Sequence, residues 1–133
     1  MKLERASTAG SKWFLIIGWI ISAVPILMMG VMGIVMLFNP SPDMAKGMSD
    51  MGYPSHMTKT ILYIEIGFAL LYAIPQTAVL GAILLTAFMG GAAATHMRVD
   101  DGMWFIPTIF GAIIWLGLFF RDARLRALLP LRR

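Results

Sequence analysis

Four side chains in this sequence, Glu65, Thr95, His96 and Arg98, are of the types that move protons or anchor a polar head group. Glu65 is the one charged residue deep inside the apolar run 57–74, while Thr95, His96 and Arg98 close the uncharged stretch 77–94. A charged side chain in hydrocarbon costs about 2.5–3.5 kcal/mol by insertion scales, so an intramembrane carboxyl implies a nearby partner or a function. Eight residues separate Glu65 from Met57, roughly 12 Å at the helical rise, which places it at the depth where the following helix delivers Thr95 and His96. Thr58, Glu65 and Tyr72 recur every seven residues, stacking a hydroxyl, a carboxyl and a phenol on one helix face that is expected to look inwards. One reading makes Glu65 and His96 an acid and base, the catalytic candidates. A second makes Glu65, Tyr72, Thr95, His96 and Arg98 the anchors of a small lipophilic ligand. A third makes Glu65 and either His96 or Arg98 a pair that only locks two helices in register.

Other donor groups are weaker signals. Met28, Met32 and Met36 follow helical spacing and Met44, Met48, Met51 and Met57 follow in the next segment. Thioethers suit Cu(I), yet methionine is also a pliable filler of irregular apolar space, which is the expectation here. His56 and His96 lie towards the same side, but nothing in their spacing demands haem, and no metal is assigned. Gly90 and Gly91 are expected to serve close helix packing, with a substrate path as the alternative. The absence of cysteine excludes thiolate and disulfide chemistry, so any redox role needs a bound cofactor.

These residues must be positioned by membrane helices. Of 133 residues 59% are hydrophobic and 14% charged, and the mean hydropathy is +0.77, far more apolar than a soluble core requires. The length accommodates four spans of roughly 20 residues in a single integral membrane domain, residues 1–133. The expected spans are 13–38, 57–74, 77–95 and 103–120, forming an all-α antiparallel four-helix bundle. Residues 1–12 read as a polar leader, and the apolar run 13–38 exceeds the core of a secretory signal. Pro25 is expected to kink span one, and Asn39-Pro40-Ser41-Pro42 to end it. MAKGM in the loop predicts a short amphipathic segment on the membrane surface, and Pro75-Gln76 a tight hairpin. Pro107 falls in the first turns of span four, where it is tolerated. Along span three Ala78, Ala82, Thr86, Gly90 and Ala94 form an edge with no side chain larger than threonine, against which neighbours are expected to press. The tail from Arg121, RDARLRALLPLRR, reads as a basic amphipathic helix before Pro130.

Eight Lys and Arg residues flank the termini side (Lys2, Arg5, Lys12, Arg121, Arg124, Arg126, Arg132, Arg133), against three on the other (Lys46, Lys59, Arg98). Both termini are therefore expected in the cytoplasm, and the formal charge of +4 reflects orientation in a lipid bilayer rather than nucleic-acid binding.

Asn39-Pro40, Gly52-Tyr53-Pro54, Glu65 followed by Gly67, Ile74-Pro75-x-Thr77-Ala78-x-Leu80-Gly81-Ala82 and Gly90-Gly91-Ala92-x-x-Thr95-His96 stand in an order and spacing that resembles the DoxX-like family of small bacterial membrane proteins. The resemblance runs from about Trp13 to Leu129. It implies a four-helix protein of the cytoplasmic (inner) membrane. The related DoxD proteins are linked to thiosulfate oxidation with quinone as acceptor, and other members to redox-stress assemblies. A quinone-like ligand, a membrane redox partner and a homo-oligomer are expectations carried by that resemblance. Many relatives place a lysine near the end of span one where this chain has Met36. The alternative functions are a small proton-coupled transporter and a membrane enzyme using Glu65 as acid or base.

Overall fold

The computed structural model describes the backbone of residues 2–128 and side chains from Lys12. The described residues form helices and turns, with no strand among them. Helix α1 spans Lys2–Pro25 and continues through a π-helical turn, Ile26–Val31, into α2, Met32–Phe38. The leader expected over 1–12 is thus the start of α1, as the helix formers of LERA and the lack of any proline before Trp13 allow. At Pro25 the missing N–H and the bulk of the ring disturb the ladder. The disturbance takes the form of the π turn, in which Met32 N–H bonds the Leu27 carbonyl five residues back.

Asn39 ends α2. Ser41 then caps α3, Pro42–Asp50, by accepting from the Met44 N–H at 3.1 Å, with Pro42 in the first turn and Asp43 favourably placed at the positive end of the helix. The expected surface segment is therefore a full two-turn helix. Helix α4 covers Met57–Ala73 and α5 Ala78–Val99. Helix α5 runs a turn beyond the expected end because no breaker intervenes until Asp100, which adopts the left-handed conformation at φ 55° as its C-cap. Helix α6, Phe105–Arg121, carries Pro107 in its first turn as expected. Asp122 caps the short α7, Ala123–Arg126, whose Leu125 packs into the core instead of lying outside. The expected basic tail beyond it, with Pro130, Arg132 and Arg133, lies outside the described residues.

Two stretches, Lys12–Phe38 and Ala78–Val99, are long and apolar enough to cross a membrane, and Phe105–Arg121 is a shorter apolar helix. Large apolar side chains such as Ile20, Leu27, Phe38, Leu80, Ile83 and Ile109 face outwards, which suits hydrocarbon better than water. The hydroxyls of Thr86, Thr95 and Thr108 donate to carbonyls four residues back, so each is satisfied within its own helix.

Helix α1 packs on α6, α6 on α5, α5 on α4, and α4 on the π turn and α2. Closest contact falls at one end, called here the basic end, where Lys12, Pro75 and Arg121 lie. A Cβ on Gly18 would meet the Arg121 backbone, one on Gly81 would overlap the Tyr72 backbone, and one on Gly117 would strike the Ser22 and Tyr72 hydroxyls. Ser22, Tyr72, Leu85, Ile114 and Leu118 are wholly buried here. The small edge on α5 is only half used: Ala78 and Ala82 are buried, whereas Gly90 and Ala94 are exposed. A row taken every fourth residue advances about 40° per step, so it rotates away from a straight neighbour. The buried stripe instead follows Ala78, Gly81, Ala82, Leu85, Met89 and Ala93.

Candidate functional site

At the opposite end the helices leave room. A cavity of about 280 Å³ lies between α4 and α5 beneath α3 and the loop after it. Met57 and Ile61 contribute from α4, Phe88, Gly91, Ala92, Thr95 and His96 from α5, and Met48, Met51 and Tyr53 from the covering segment. Gly91 makes part of this space: a Cβ there, or on Gly90, would meet nothing within 4 Å. The expectation that these two glycines serve close packing is therefore corrected. Both are exposed, Gly91 on the cavity wall and Gly90 outside it.

The polar groups of the cavity form a directed set. Thr95 donates its proton to the Gly91 carbonyl at 3.0 Å, so the Tyr53 hydroxyl, 2.9 Å away, is the donor to Thr95. The Tyr53 oxygen keeps its acceptor capacity. His96 Nδ1 stands 2.6 Å from Asp101 Oδ2. The Met103 N–H, at 2.9 Å from Oδ1, and then the His96 ring hold the Asp101 carboxyl below the usual carboxylate range. An ionised carboxylate only accepts, so Nδ1 is the donor to Asp101, and the tautomer that matches this contact leaves Nε2 as the acceptor. Such a ring offers Nε2 as a hydrogen-bond acceptor.

Asp101 is the residue that sequence reading missed. Asp100-Asp101-Gly102 reads as a turn, and turn it does, with Gly102 at φ 74°. The additional signal was a histidine in the last turn of a helix with a carboxylate just past its C-cap, where the chain folds back over that turn.

Arg98 donates to the Met51 carbonyl and its guanidinium lies beside Gly52. It fastens the covering loop to α5. Gly52, at φ 82°, makes the turn that loop needs. The expected pairing of Glu65 with His96 or Arg98 is not formed: His96 meets Asp101 and Arg98 the Met51 carbonyl, and with Tyr72 set against Gly81 the antiparallel helices put Glu65 level with about Phe88, short of both. Glu65 is half-buried on the α4 face that also carries buried Leu62, Ala69 and Tyr72. It has no hydrogen bond or ion pair among the described residues, and its oxygens are not sealed off.

Tyr72 belongs to the other end of the molecule. Its hydroxyl donates to the Ile114 carbonyl at 2.7 Å and accepts from Ser22 at 3.0 Å, joining α4, α6 and α1. Thr58 borders a small void of about 40 Å³ beside Met36, Leu37 and Met44. His56 is exposed before α4 and does not share the cavity with His96. Three methionines, Met48, Met51 and Met57, do line it. Of the expected anchors, then, Thr95 and His96 reach the cavity, while Glu65, Tyr72 and Arg98 lie outside its wall.

The model of the DoxX-like family matches residues 20–117. No curated protein and no solved structure matches the chain.

Proposed function

The chain belongs to the DoxX-like family of membrane proteins, and on that premise we propose that it holds the head group of a small lipophilic molecule in the α4–α5 cavity. The proposal places α1–α2, α4, α5 and α6 across a bacterial cytoplasmic membrane as an antiparallel four-helix bundle forming a single domain. The basic end then faces the cytoplasm with both termini, and the cavity opens towards the outer leaflet. The imbalance of Lys and Arg between the two ends supports this orientation.

The observation that carries the ligand reading is the cavity itself, apolar along its walls with Tyr53, Thr95 and His96 as its polar groups. At about 280 Å³ it stands at the small end of the roughly 300–1,000 Å³ typical of small-molecule sites, so it suits a single-ring head group whose tail stays in lipid. His96 Nε2 accepts from a hydroxyl of such a ring, and the Tyr53 oxygen offers a second acceptor. A quinol fits this pattern, and the protein would then be accessory to membrane redox chemistry beside a partner. Addition of a short-chain ubiquinol to purified protein tests the reading: saturable thermal stabilisation is expected, and its loss in Gly91→Leu, which fills the space, locates the site. A response unchanged in Gly91→Leu overturns it.

Glu65 favours a second reading. An interior carboxyl without a partner is suited to taking up and releasing protons, as a proton-coupled transporter or an acid–base enzyme requires. Proton release on ligand addition, abolished by Glu65→Gln, distinguishes that role from simple binding.

A further inference from the structure

Arg121 ends α6 at the basic end, far from the cavity described above. Its guanidinium is held between two rings, 4.6 Å from the centroid of Trp19 and 4.3 Å from that of Tyr72, and Nη2 donates to the Tyr72 carbonyl. Its Nε and Nη1 atoms are buried and have no hydrogen-bond partner among the described residues. Buried guanidinium donors are costly to leave unmade, so the arrangement asks for an oxygen that the described residues do not supply.

Arg121 forms part of the wall of two cavities, of about 210 and 140 Å³. Lys12 and Arg126 line the smaller and Arg124 the larger, so four cations surround the space. The one acid there among the described residues, Asp122, is already engaged by Arg124 at 3.4 Å. Arg126 is steadied by the Phe119 and Phe120 carbonyls, at 3.2 and 2.6 Å, and by the Phe14 ring. Apolar walls from Leu15, Leu118 and Phe120 complete the two spaces. Cations clustered around an unmet donor, beside apolar surface at the Lys12 end of the stretch Lys12–Phe38, which is long enough to cross a membrane, match a phosphate that carries acyl chains.

We propose that the paired cavities around Arg121 bind a phosphate group, supplied by an anionic phospholipid of the adjoining leaflet. Lys12 and Arg124 supply exposed charge at the mouth, and Arg121 supplies the charge on the wall the two cavities share. The site is separate from the α4–α5 cavity and stands or falls independently of it.

Thermal unfolding in a neutral detergent provides the test, with phosphatidylglycerol, phosphatidylcholine or inorganic phosphate added to the full-length protein. Phosphatidylglycerol is expected to raise the midpoint saturably and phosphatidylcholine to leave it unchanged. The double variant Lys12→Gln/Arg124→Gln alters only exposed side chains, so it folds; at about fivefold per charge, its half-saturation rises roughly 25-fold. Lys59→Gln at the other end leaves the response as it was. Inorganic phosphate protecting as well as the lipid would assign the same site to a free anion, whereas protection by phosphatidylglycerol alone assigns it to lipid. Equal responses to the two lipids overturn the proposal, as does a double variant that behaves like wild type or a Lys59→Gln loss as large as the double variant's.

Discussion

Two glycine-to-alanine substitutions separate the closed half of this molecule from the open half. At Gly91 an added methyl meets nothing within 4 Å, so only backbone propensity acts, and Gly91→Ala is expected to stabilise by about 0.8–1.0 kcal/mol. At Gly117 the same methyl would lie 2.5 Å from Ser22 Oγ and 2.9 Å from the Tyr72 hydroxyl oxygen. Overpacking of that kind costs about 1–3 kcal/mol, and parting the Ser22–Tyr72–Ile114 chain forfeits about 1 kcal/mol for each hydrogen bond lost. Offset by the same propensity gain, Gly117→Ala is expected to destabilise by about 1–3 kcal/mol, leaving a gap of about 2–4 kcal/mol between the variants. Differential scanning fluorimetry in one detergent, at matched protein concentration, reads the gap as a raised midpoint for the first variant and a lowered one for the second. Midpoints that move together would refute the claim that the helices close at Gly117 and part at Gly91.

Three further outcomes follow from individual contacts. Tyr72→Phe strands the buried Ser22 hydroxyl and is expected to cost about 1–3 kcal/mol while leaving ligand affinity at the α4–α5 cavity unchanged; weaker ligand binding with an unaltered midpoint would restore Tyr72 as an anchor. The Asp101 carboxyl titrates below its usual value of about 3.9, held down by Met103 N–H and His96. Because the folded value is the lower one, the contribution of these contacts is complete above the unfolded pKa and disappears as acid carries the pH down through the folded one; carboxyl-carbon NMR showing a normal or raised value would contradict the His96–Asp101 geometry. Arg98→Ala releases the Met51 carbonyl, so amide hydrogen exchange is expected to quicken over residues 48–53 and not in α6; unchanged exchange there would show that Arg98 does not fasten the loop.

Much of the architecture was legible because its signals are local. Paired prolines after Asn39, the Pro75-Gln76 turn and uncharged runs of bilayer length mark helix ends without reference to any other helix. What needed the fold was partner choice. His96 and Arg98 share one helix turn, yet the first meets Asp101 and the second the Met51 carbonyl, while the register that sets Tyr72 against Gly81 leaves Glu65 too deep to reach either. The same holds for the glycines: Gly81 and Gly90 both lie on α5, but half a turn of the helix separates them, so the first meets the Tyr72 backbone and the second faces away from it into open space. Arg121, read from sequence as an orientation signal, becomes a half-buried cation because Gly18 lets α1 approach the end of α6 closely.

The central claim is that the α4–α5 cavity holds a small molecule. Native mass spectrometry of protein purified from its own membrane in mild detergent tests it most directly, comparing wild type with Gly91→Leu. The account predicts a bound small molecule on the wild type that is lost from a folded Gly91→Leu variant. A wild type free of any such adduct, or a variant that keeps it, would contradict the account.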